Sequence, residues 1–124
     1  MFHNLPKEVR NRMQYLEEID SRDRTDGTPR LKRLRQIPRE TGKFLSILAA
    51  SAPEGKYIEI GTSAGYSTLW IALACKLIGT KLTTFELLKD KIHLAKETFK
   101  DTNMEEFIEL IEGDARNYIK IYDH

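Results

Sequence analysis

The stretch YIEIGTSAGYST, residues 57–68, decides the fold of this 124-residue chain. It begins as a short apolar run, passes through Gly61 and Gly65, and continues into LWIALAC at residues 69–75, which has helical composition. Strand, glycine turn and helix in this order direct backbone N–H groups and a helix N-terminus at an anionic or polar ligand. The two glycines let the backbone turn sharply and approach that ligand without a Cβ in the way. The stretch therefore predicts a ligand-binding turn.

Two helices are predicted before the turn. Residues 4–20 carry apolar residues at helical spacing, with Asn4 available as a cap. Residues 20–29 are polar and contain Gly27 and Pro29, which predicts a loop. Residues 38–52 form the second helix. Its apolar face is predicted to consist of Phe44, Leu45, Leu48, Ala49 and Ala52.

A basic run lies between these two helices. Its five members fall within ten residues and are Arg30, Lys32, Arg33, Arg35 and Arg39. Such a run is commonly a solvated face or a flexible lead-in. The sharper interpretation is a surface that meets an acidic substrate, such as RNA or a phosphorylated small molecule. The formal net charge of +1 does not decide between them.

Strands and helices alternate after the turn. The helix that follows the turn is predicted to reach Leu77, and Gly79 stands where a helix C-cap favours glycine. A second strand over residues 81–86 ends on Glu86. It is followed by a helix over 90–99, a strand over 107–111 and the start of a further helix over 116–122. This alternation predicts parallel βαβ units and hence an open α/β sheet.

Composition limits the class of protein. With 40% hydrophobic and 31% charged residues, the chain reads as an ordinary soluble globular domain. The single cysteine, Cys75, provides no disulfide framework and no metal cluster, and it is interpreted as a buried hydrophobe in a cytoplasmic protein. No window approaches ~18 apolar residues, so no membrane association is expected.

Two ligand-binding motifs are opposed by the residues of the turn. A phosphate-binding P-loop needs a Gly-Lys-Ser/Thr ending, which is absent here. A nicotinamide or flavin fingerprint needs G-x-G-x-x-G, whereas this turn reads G-x-x-x-G with Ser63 in place of the middle glycine. The dinucleotide interpretation is therefore weakened.

The turn also spells G-x-S-x-G, the nucleophile elbow of α/β-hydrolases, and it lies between a strand and a helix. That chemistry needs an acid and a histidine later in the chain and an oxyanion loop before it. Only His93 and His124 follow Ser63, His93 falls in the middle of a predicted helix, and no glycine-rich loop precedes the turn. The sequence therefore opposes a hydrolase.

A different pattern includes Glu59, which precedes Gly61 by two residues and gives E-x-G-x-x-x-G followed by Tyr66 and Ser67. It resembles motif I of the class I S-adenosylmethionine-dependent methyltransferases. More narrowly, EIGTSAGYST at residues 59–68 is similar to the O-methyltransferases related to the catechol and caffeoyl-CoA enzymes. Two later signals agree: Glu86 ends the second strand, and Gly113-Asp114-Ala115 follows the third. The resemblance covers about residues 37–115.

The resemblance implies a Rossmann-like class I methyltransferase fold, with its first three strands present and N-terminal helices before them. It further implies S-adenosylmethionine as cofactor, S-adenosylhomocysteine as product, and methyl transfer to a hydroxyl group of a small molecule or tRNA base. The residues expected to bind the cofactor are Glu59, Gly61, Thr62, Ser63, Gly65, Tyr66, Ser67, Glu86, Leu87, Gly113, Asp114 and Ala115.

Roles for these residues follow from the shape of the cofactor. Glu86 is expected to accept both ribose hydroxyls, with Leu87 on the adenine face. In similar enzymes the position of Asp114 receives the adenine amino group, and the N–H of Ala115 faces a ring nitrogen. Ser67 is expected either to bind the amino-acid carboxylate or only to cap its helix. The role expected for Glu59 is to support the turn or to meet the ammonium group.

Members of this family continue for several strands beyond the third, and the acceptor pocket and any metal ligands lie there. We therefore assign no catalytic base and no metal. Residues 1–36 are predicted as an N-terminal helix and basic linker, and residues 37–124 as a truncated cofactor-binding half. The first strand would then be an exposed apolar edge, so we expect a fragment of a longer protein or a partner chain that covers this edge.

Partners and other functions stay open. Dimers are common among the enzymes that the chain resembles. Two further function classes remain: a dinucleotide-dependent oxidoreductase, and a non-catalytic half-domain that binds a nucleoside or a partner protein.

Overall fold

A computed structural model describes residue 2 and residues 4–119 of the chain. Regular structure alternates between helices and strands from the second helix onward. The elements are α1 (Lys7–Asp23), α2 (Arg39–Ser51), β1 (Tyr57–Ile60), α3 (Tyr66–Ile78), β2 (Leu82–Glu86), α4 (Lys89–Asp101) and β3 (Ile108–Glu112). Short 3-10 turns cover Arg30–Lys32, Glu105–Phe107 and Ala115–Asn117.

The three described strands form one parallel sheet in the order β1-β2-β3. Ile60 pairs with Phe85, and Glu86 pairs with Glu112, so the carboxyl ends of all three strands lie side by side at one end of the sheet. Helices α3 and α4 are the crossovers between successive strands, as parallel pairing requires. The predicted open parallel α/β sheet is confirmed.

The core lies between the helices and one face of the sheet. Trp70 on α3 is fully buried and meets the rings of Phe2 and Tyr66 edge to face. The core cluster draws residues from α1, α3, α4 and β3, among them Val9, Met13, Leu16, Leu69, Phe99 and Ile108. Residues from the N-terminal helix and from the βαβ units therefore share one core.

The first helix differs from its prediction at both ends. It runs from Lys7 to Asp23 rather than over 4–20, so the predicted loop begins later. Pro6 occupies the N-cap position, and no side chain caps the helix, so Asn4 does not have the predicted role. Proline suits this place because the N–H that it lacks has no partner within the helix.

The predicted apolar face of α2 was wrong at Phe44 and Leu48, whereas Ala49 is buried as predicted. Phe44 is 58% exposed and Leu48 is 50% exposed, whereas the buried residues are Gly42, Ser46 and Ala49. Small side chains let α2 approach α3 closely: a Cβ added to Gly42 would lie 2.3 Å from Cδ1 of Trp70. Close approach to a large ring therefore decided which face is buried, and hydrophobicity alone did not reveal this.

The later predictions agree with the structure to within about two residues, as expected for element ends. Gly79 caps α3 with a φ of +76°, and Cys75 is buried. Strand β1 is at one edge of the described sheet, with Ile60 65% exposed, as predicted for an apolar edge. Of the helix predicted over 116–122, the structure describes a 3-10 turn at Ala115–Asn117, and residues 120–124 lie outside the described part.

Candidate functional site

The three sequence signals meet at the carboxyl end of the sheet. Backbone bonds tie them together: the N–H groups of Gly61 and Thr62 donate to the carbonyl of Phe85 at 2.8 and 3.1 Å. The N–H of Gly113 donates to the carbonyl of Glu86 at 2.9 Å. Ligands of open α/β sheets bind just outside the carboxyl ends of the strands. The structure therefore brings together the residues that the sequence singled out.

The glycine turn has left-handed backbone at three positions, with φ of +91° at Gly61, +52° at Ser63 and +94° at Gly65. A Cβ on Gly65 would lie 2.7 Å from the ring of Phe99, so this glycine lets α3 and α4 approach each other. A Cβ on Gly61 would meet nothing within 4 Å. Gly61 therefore faces open space, where a ligand has room to approach the backbone.

Glu86 joins the turn to the next loop. Its Oε1 accepts the N–H of Ser63 at 2.7 Å, and its Oε2 accepts those of Leu87 and Leu88 at 3.0 and 3.1 Å. The residue is almost buried. Because an ionised carboxylate has about four lone-pair sites, three N–H donors leave acceptor capacity for a ligand.

Glu59 lies under the turn and holds the start of α3. Its carboxylate accepts three hydroxyls: Ser67 at 2.6 Å, Thr68 at 2.5 Å and Thr84 at 2.8 Å. Thr84 also bonds the hydroxyl of Thr62 at 2.7 Å. Burial raises the pKa of Glu59, and the three hydroxyl bonds oppose that shift. Glu59 is therefore bonded to protein groups of the turn region, which agrees with the first of the two roles that the sequence left open, support of the turn or contact with the ammonium group.

Ser67 and Tyr66 use their hydroxyl protons within the protein. The Ser67 hydroxyl donates to Glu59, and the N-cap position belongs to Gly65 with no side-chain cap, so the alternative of Ser67 as helix cap is excluded. The Tyr66 hydroxyl donates to Glu17 of α1 at 2.5 Å, and its pKa is raised by burial. The ring of Tyr66 is therefore part of the core.

Asp114 lies at the far end of the cleft, after β3. It accepts the backbone N–H of Arg116 at 2.9 Å and pairs with its guanidinium, with Nη2 to Oδ2 at 2.6 Å. These bonds lower the pKa of Asp114 to about 2. Ala115 beside it is buried. The carboxylate expected to meet adenine is thus bonded to a residue two positions further on.

Three neighbouring clefts are lined by the residues of this site. The first has a volume of about 360 Å³ and is lined by the ends of all three strands, including Gly61, Glu86, Leu87, Asp114 and Ala115. The second, of about 170 Å³, lies between the turn and residues 34–37. The third, of about 470 Å³, lies between residues 33–35, Ser63, Glu86 and Lys91. The first is within the usual size range of small-ligand sites.

Residues 33–37 form a wall of the second and third clefts that the sequence analysis missed; we call them the strap. The basic run that includes them is divided by the structure. Arg39 pairs with Glu17 at 3.5 Å and lies over the ring of Trp70. Arg30, Lys32 and Arg35 are exposed, and Arg35 lines both smaller clefts.

A signal for the strap was present in α1. Asp20 and Asp23 continue the spacing of Val9, Met13 and Leu16, so they belong to the buried stripe of the helix. Charged residues on such a stripe need partners. Both aspartates accept backbone N–H groups of the strap, and Asp20 also pairs with Arg24 at the end of α1 at 2.7 Å. Lys91 on the buried side of α4 gives the same signal.

Two absences concern only the described part of the chain. Among residues 4–119 and Phe2, no group of three or more His, Cys, Asp or Glu side chains is arranged to hold a metal ion. Within the same residues, none of the helices has the length and apolarity needed to cross a membrane.

Comparison with known sequences gives one family. A sequence model of the family described as O-methyltransferase matches residues 9–122 of the chain. The catechol O-methyltransferase of Mycobacterium tuberculosis is 28% identical over 79 residues, which are 64% of this chain and 36% of that protein.

Solved structures have the same fold at low identity. The SAH-bound methyltransferase of Podospora anserina gives a TM-score of 0.73 at 22% identity, over 98% of this chain and 48% of that one. The O-methyltransferase of Bacillus cereus, in complex with SAH, gives 0.69 at 21% identity, over 96% and 50%. The enzyme of Streptomyces achromogenes involved in tomaymycin synthesis, solved with SAM, gives 0.70 at 22%, over 100% and 50%. The chain spans about half the length of these proteins.

Proposed function

The chain belongs to the O-methyltransferase family, and from this premise we propose that it supplies the cofactor site of an S-adenosylmethionine-dependent O-methyltransferase. The observation that carries the proposal is the position of Glu86. Its carboxylate lies at the carboxyl end of β2, beside the glycine turn and inside the cleft that all three strands line. A neutral diol suits an acceptor at this place, whereas a 2′-phosphate would be repelled.

The first cleft fits the adenosine part of the cofactor. Glu86 has acceptor capacity left for a ribose hydroxyl, and the open space over Gly61 lets the sugar lie against the backbone. Leu87 is largely exposed at the mouth of this cleft and offers an apolar surface to the adenine ring. Asp114 and the N–H of Ala115 stand at its far end for the polar edge of adenine. This assignment gives a part to residues from all three sequence signals.

The second cleft fits the amino-acid end. It lies between Ser63, Ser67 and the strap. Because the Ser67 hydroxyl donates its hydrogen bond to Glu59, we propose that its oxygen accepts a hydrogen bond from the ammonium group and does not donate one to the carboxylate. This changes the role expected from the sequence and keeps the residue in the site.

The bound cofactor would supply an electrophilic methyl group on a sulfonium. The protein's part is to hold that group still for in-line attack, and such positioning accounts for much of the barrier reduction in transfer reactions. The Glu86 carboxylate beside the turn also favours a cationic ligand. The acceptor is proposed to be a hydroxyl group of a small molecule or a tRNA base, and the exposed Arg30, Lys32 and Arg35 support an acidic one. A buried, unpaired Cys75 supports a reducing compartment such as the cytoplasm.

Calorimetric titration of S-adenosylhomocysteine and NAD tests the proposal. We expect the chain to bind S-adenosylhomocysteine with a Kd on the order of micromolar and NAD not measurably. Glu86→Gln should weaken the binding about tenfold, because the amide offers only one acceptor oxygen to the N–H donors and the ribose.

The matched control is Glu112→Gln. Glu112 pairs with Glu86 in the sheet register but lies on the surface, in an ion pair with Lys96. Its substitution should leave the Kd unchanged. Binding of NAD in preference to S-adenosylhomocysteine would overturn the proposal in favour of an oxidoreductase, and binding of neither by a folded chain would overturn it outright.

A further inference from the structure

The backbone of the strap is held by three buried, charged side chains, which we call the clamp. Asp23 accepts the N–H of Leu34 at 2.8 Å. Asp20 accepts the N–H of Gln36 at 3.1 Å. From the other side, Lys91 Nζ donates to the carbonyls of residues 32 and 33 at 3.2 and 2.7 Å. Side chains of α1 and α4, which are far apart in sequence, thus form hydrogen bonds to the peptide groups of one irregular segment.

The clamp is not needed to join those two helices. Arg12 of α1 already donates to the hydroxyl of Thr98 on α4 at 2.9 Å. Met13 and Leu16 share the hydrophobic core with Phe99 of α4. Burial of charges is costly unless each has a partner, and burial lowers the pKa of Lys91. Apart from the ion pair that Asp20 forms with Arg24 on its own helix end, what the three charged side chains stabilise is therefore the path of the strap.

The strap in turn contacts the glycine turn. The Ser63 hydroxyl donates to the carbonyl of Leu34 at 3.3 Å, and Leu34 is buried in the core cluster. Arg35, the next residue, has a φ of +45°. A non-glycine residue in this region is strained and persists only where its surroundings impose it. Here the N–H groups of residues 34 and 36, on either side of it, are fixed by the clamp.

From these contacts we infer that Asp20, Asp23 and Lys91 are positioning residues that set the width of the cleft between the strap and the glycine turn. The inference builds on the proposed function, in which that cleft receives the amino-acid end of the cofactor. Without the clamp, the wall formed by residues 34–37 moves relative to Ser63 and Ser67. Ligands that reach the strap lose affinity, and ligands that end at the ribose do not.

Two ligands distinguish this role from a general effect on stability. S-adenosylhomocysteine has the amino-acid end, and 5′-methylthioadenosine lacks it. Lys91→Met should raise the Kd of S-adenosylhomocysteine about tenfold, because two carbonyls lose their donor and the strap is released. The Kd of 5′-methylthioadenosine should stay unchanged. Lys96→Met is the matched control, since Lys96 lies on the same helix in a surface ion pair and should change neither value.

Asp23→Asn is the milder variant for the case in which Lys91→Met does not fold. It keeps an acceptor for the N–H of Leu34 and removes only the charge, so the same selective loss of affinity is expected at smaller size. On the parent chain, hydrogen exchange gives a measurement without substitution. S-adenosylhomocysteine should slow exchange of the Leu34 and Gln36 amides, and 5′-methylthioadenosine should not.

Several results would overturn the inference. Equal weakening of both ligands in a folded variant would make the clamp merely structural. Unchanged affinity for both, or unchanged exchange at residues 34 and 36 while the amides of the turn become protected, would remove the strap from the site. If the parent chain binds neither ligand, the proposed function fails and the inference fails with it. If the parent binds both ligands and the variants affect both equally, only the inference fails and the proposed function stands.

Discussion

The two ends of the first cleft, which we propose receives adenosine, are built differently. At the turn end, Glu59 and Glu86 accept hydrogen bonds from several elements: β2, the start of α3 and the loop after β2. At the β3 end, Asp114 is bonded to Arg116, two residues along the chain. The pKa shifts go in opposite directions, because burial raises that of Glu59 and the Arg116 bonds lower that of Asp114.

This difference indicates which end is preformed. Long-range partners fix the turn end together with the core, so the site there is as stable as the fold. A local surface pair fixes the β3 end, and a ligand can replace it without disturbing the core. Substitutions at the turn end should therefore affect stability, and substitutions at the β3 end should affect binding alone.

The largest expected effect is that of Gly65→Ala. The added Cβ meets the Phe99 ring at 2.7 Å and the residue has a φ of +94°, so overpacking and backbone strain together should cost about 3 kcal/mol. Gly61→Ala has a similar φ, +91°, but open space around its Cβ, and should cost about 1 kcal/mol. Urea unfolding of both variants checks this, and equal losses would contradict the packing argument.

Glu59→Gln should have the next largest effect. A carboxyl group has two acceptor oxygens for the hydroxyls of Ser67, Thr68 and Thr84, whereas an amide has one. One buried hydroxyl loses its partner, which should cost about 2 kcal/mol of unfolding free energy at pH 5. If the variant is as stable as the parent in urea, the hydrogen bonds of Glu59 do not stabilise the turn end of the cleft.

The pH dependence of this loss has a definite sign. Because the pKa of Glu59 is raised above its ordinary value of 4.5, the folded state keeps a proton that the unfolded state loses above this pH. The stabilisation is fully present below pH 4.5 and is lost as the pH rises through the folded-state pKa. The gap in unfolding free energy between the parent and Glu59→Gln should therefore narrow above pH 4.5. A gap that widens would refute the assignment.

Asp114→Asn should have the smallest effect on stability. The amide still accepts the N–H of Arg116, and the lost ion pair is on the surface, where such pairs contribute little. The pKa of Asp114 is lowered from 3.8 to about 2, so its contribution is present above pH 3.8 and is lost as the pH falls towards 2. We expect the urea midpoint at pH 7 to match that of the parent, while the affinity for S-adenosylhomocysteine falls. A clear drop in the midpoint would remove the contrast between the two ends.

The sequence predicted the parallel sheet and the meeting of its three signals, because glycine punctuation and strand spacing are local properties. It failed where distant residues decide. The exposed face of α2 depends on how Gly42 meets Trp70. The hydroxyl of Ser67 donates its hydrogen bond to Glu59, eight residues earlier in the chain. In both cases the partner is fixed by tertiary packing, which periodicity does not encode.

The strap shows the same limit in another form. Its residues have no regular structure, so no hydrophobic period marks them, and their basic composition indicated solvent. The informative residues were the aspartates on the buried stripe of α1, which are separated from the strap by a loop. Charged residues that interrupt the apolar stripe of a helix are therefore the best sequence evidence for a nearby segment whose backbone they hydrogen-bond.

The position of Trp70 gives this chain a built-in optical reporter. It is the single tryptophan, it is fully buried, and it contacts Gly42 of α2 and Tyr66 at the start of α3, with Arg39 over its ring. Its emission therefore follows the docking of the N-terminal helices onto α3. Trp70 itself lines none of the three clefts, so its emission reports the assembly of the core, and occupation of the site is followed by a separate binding measurement.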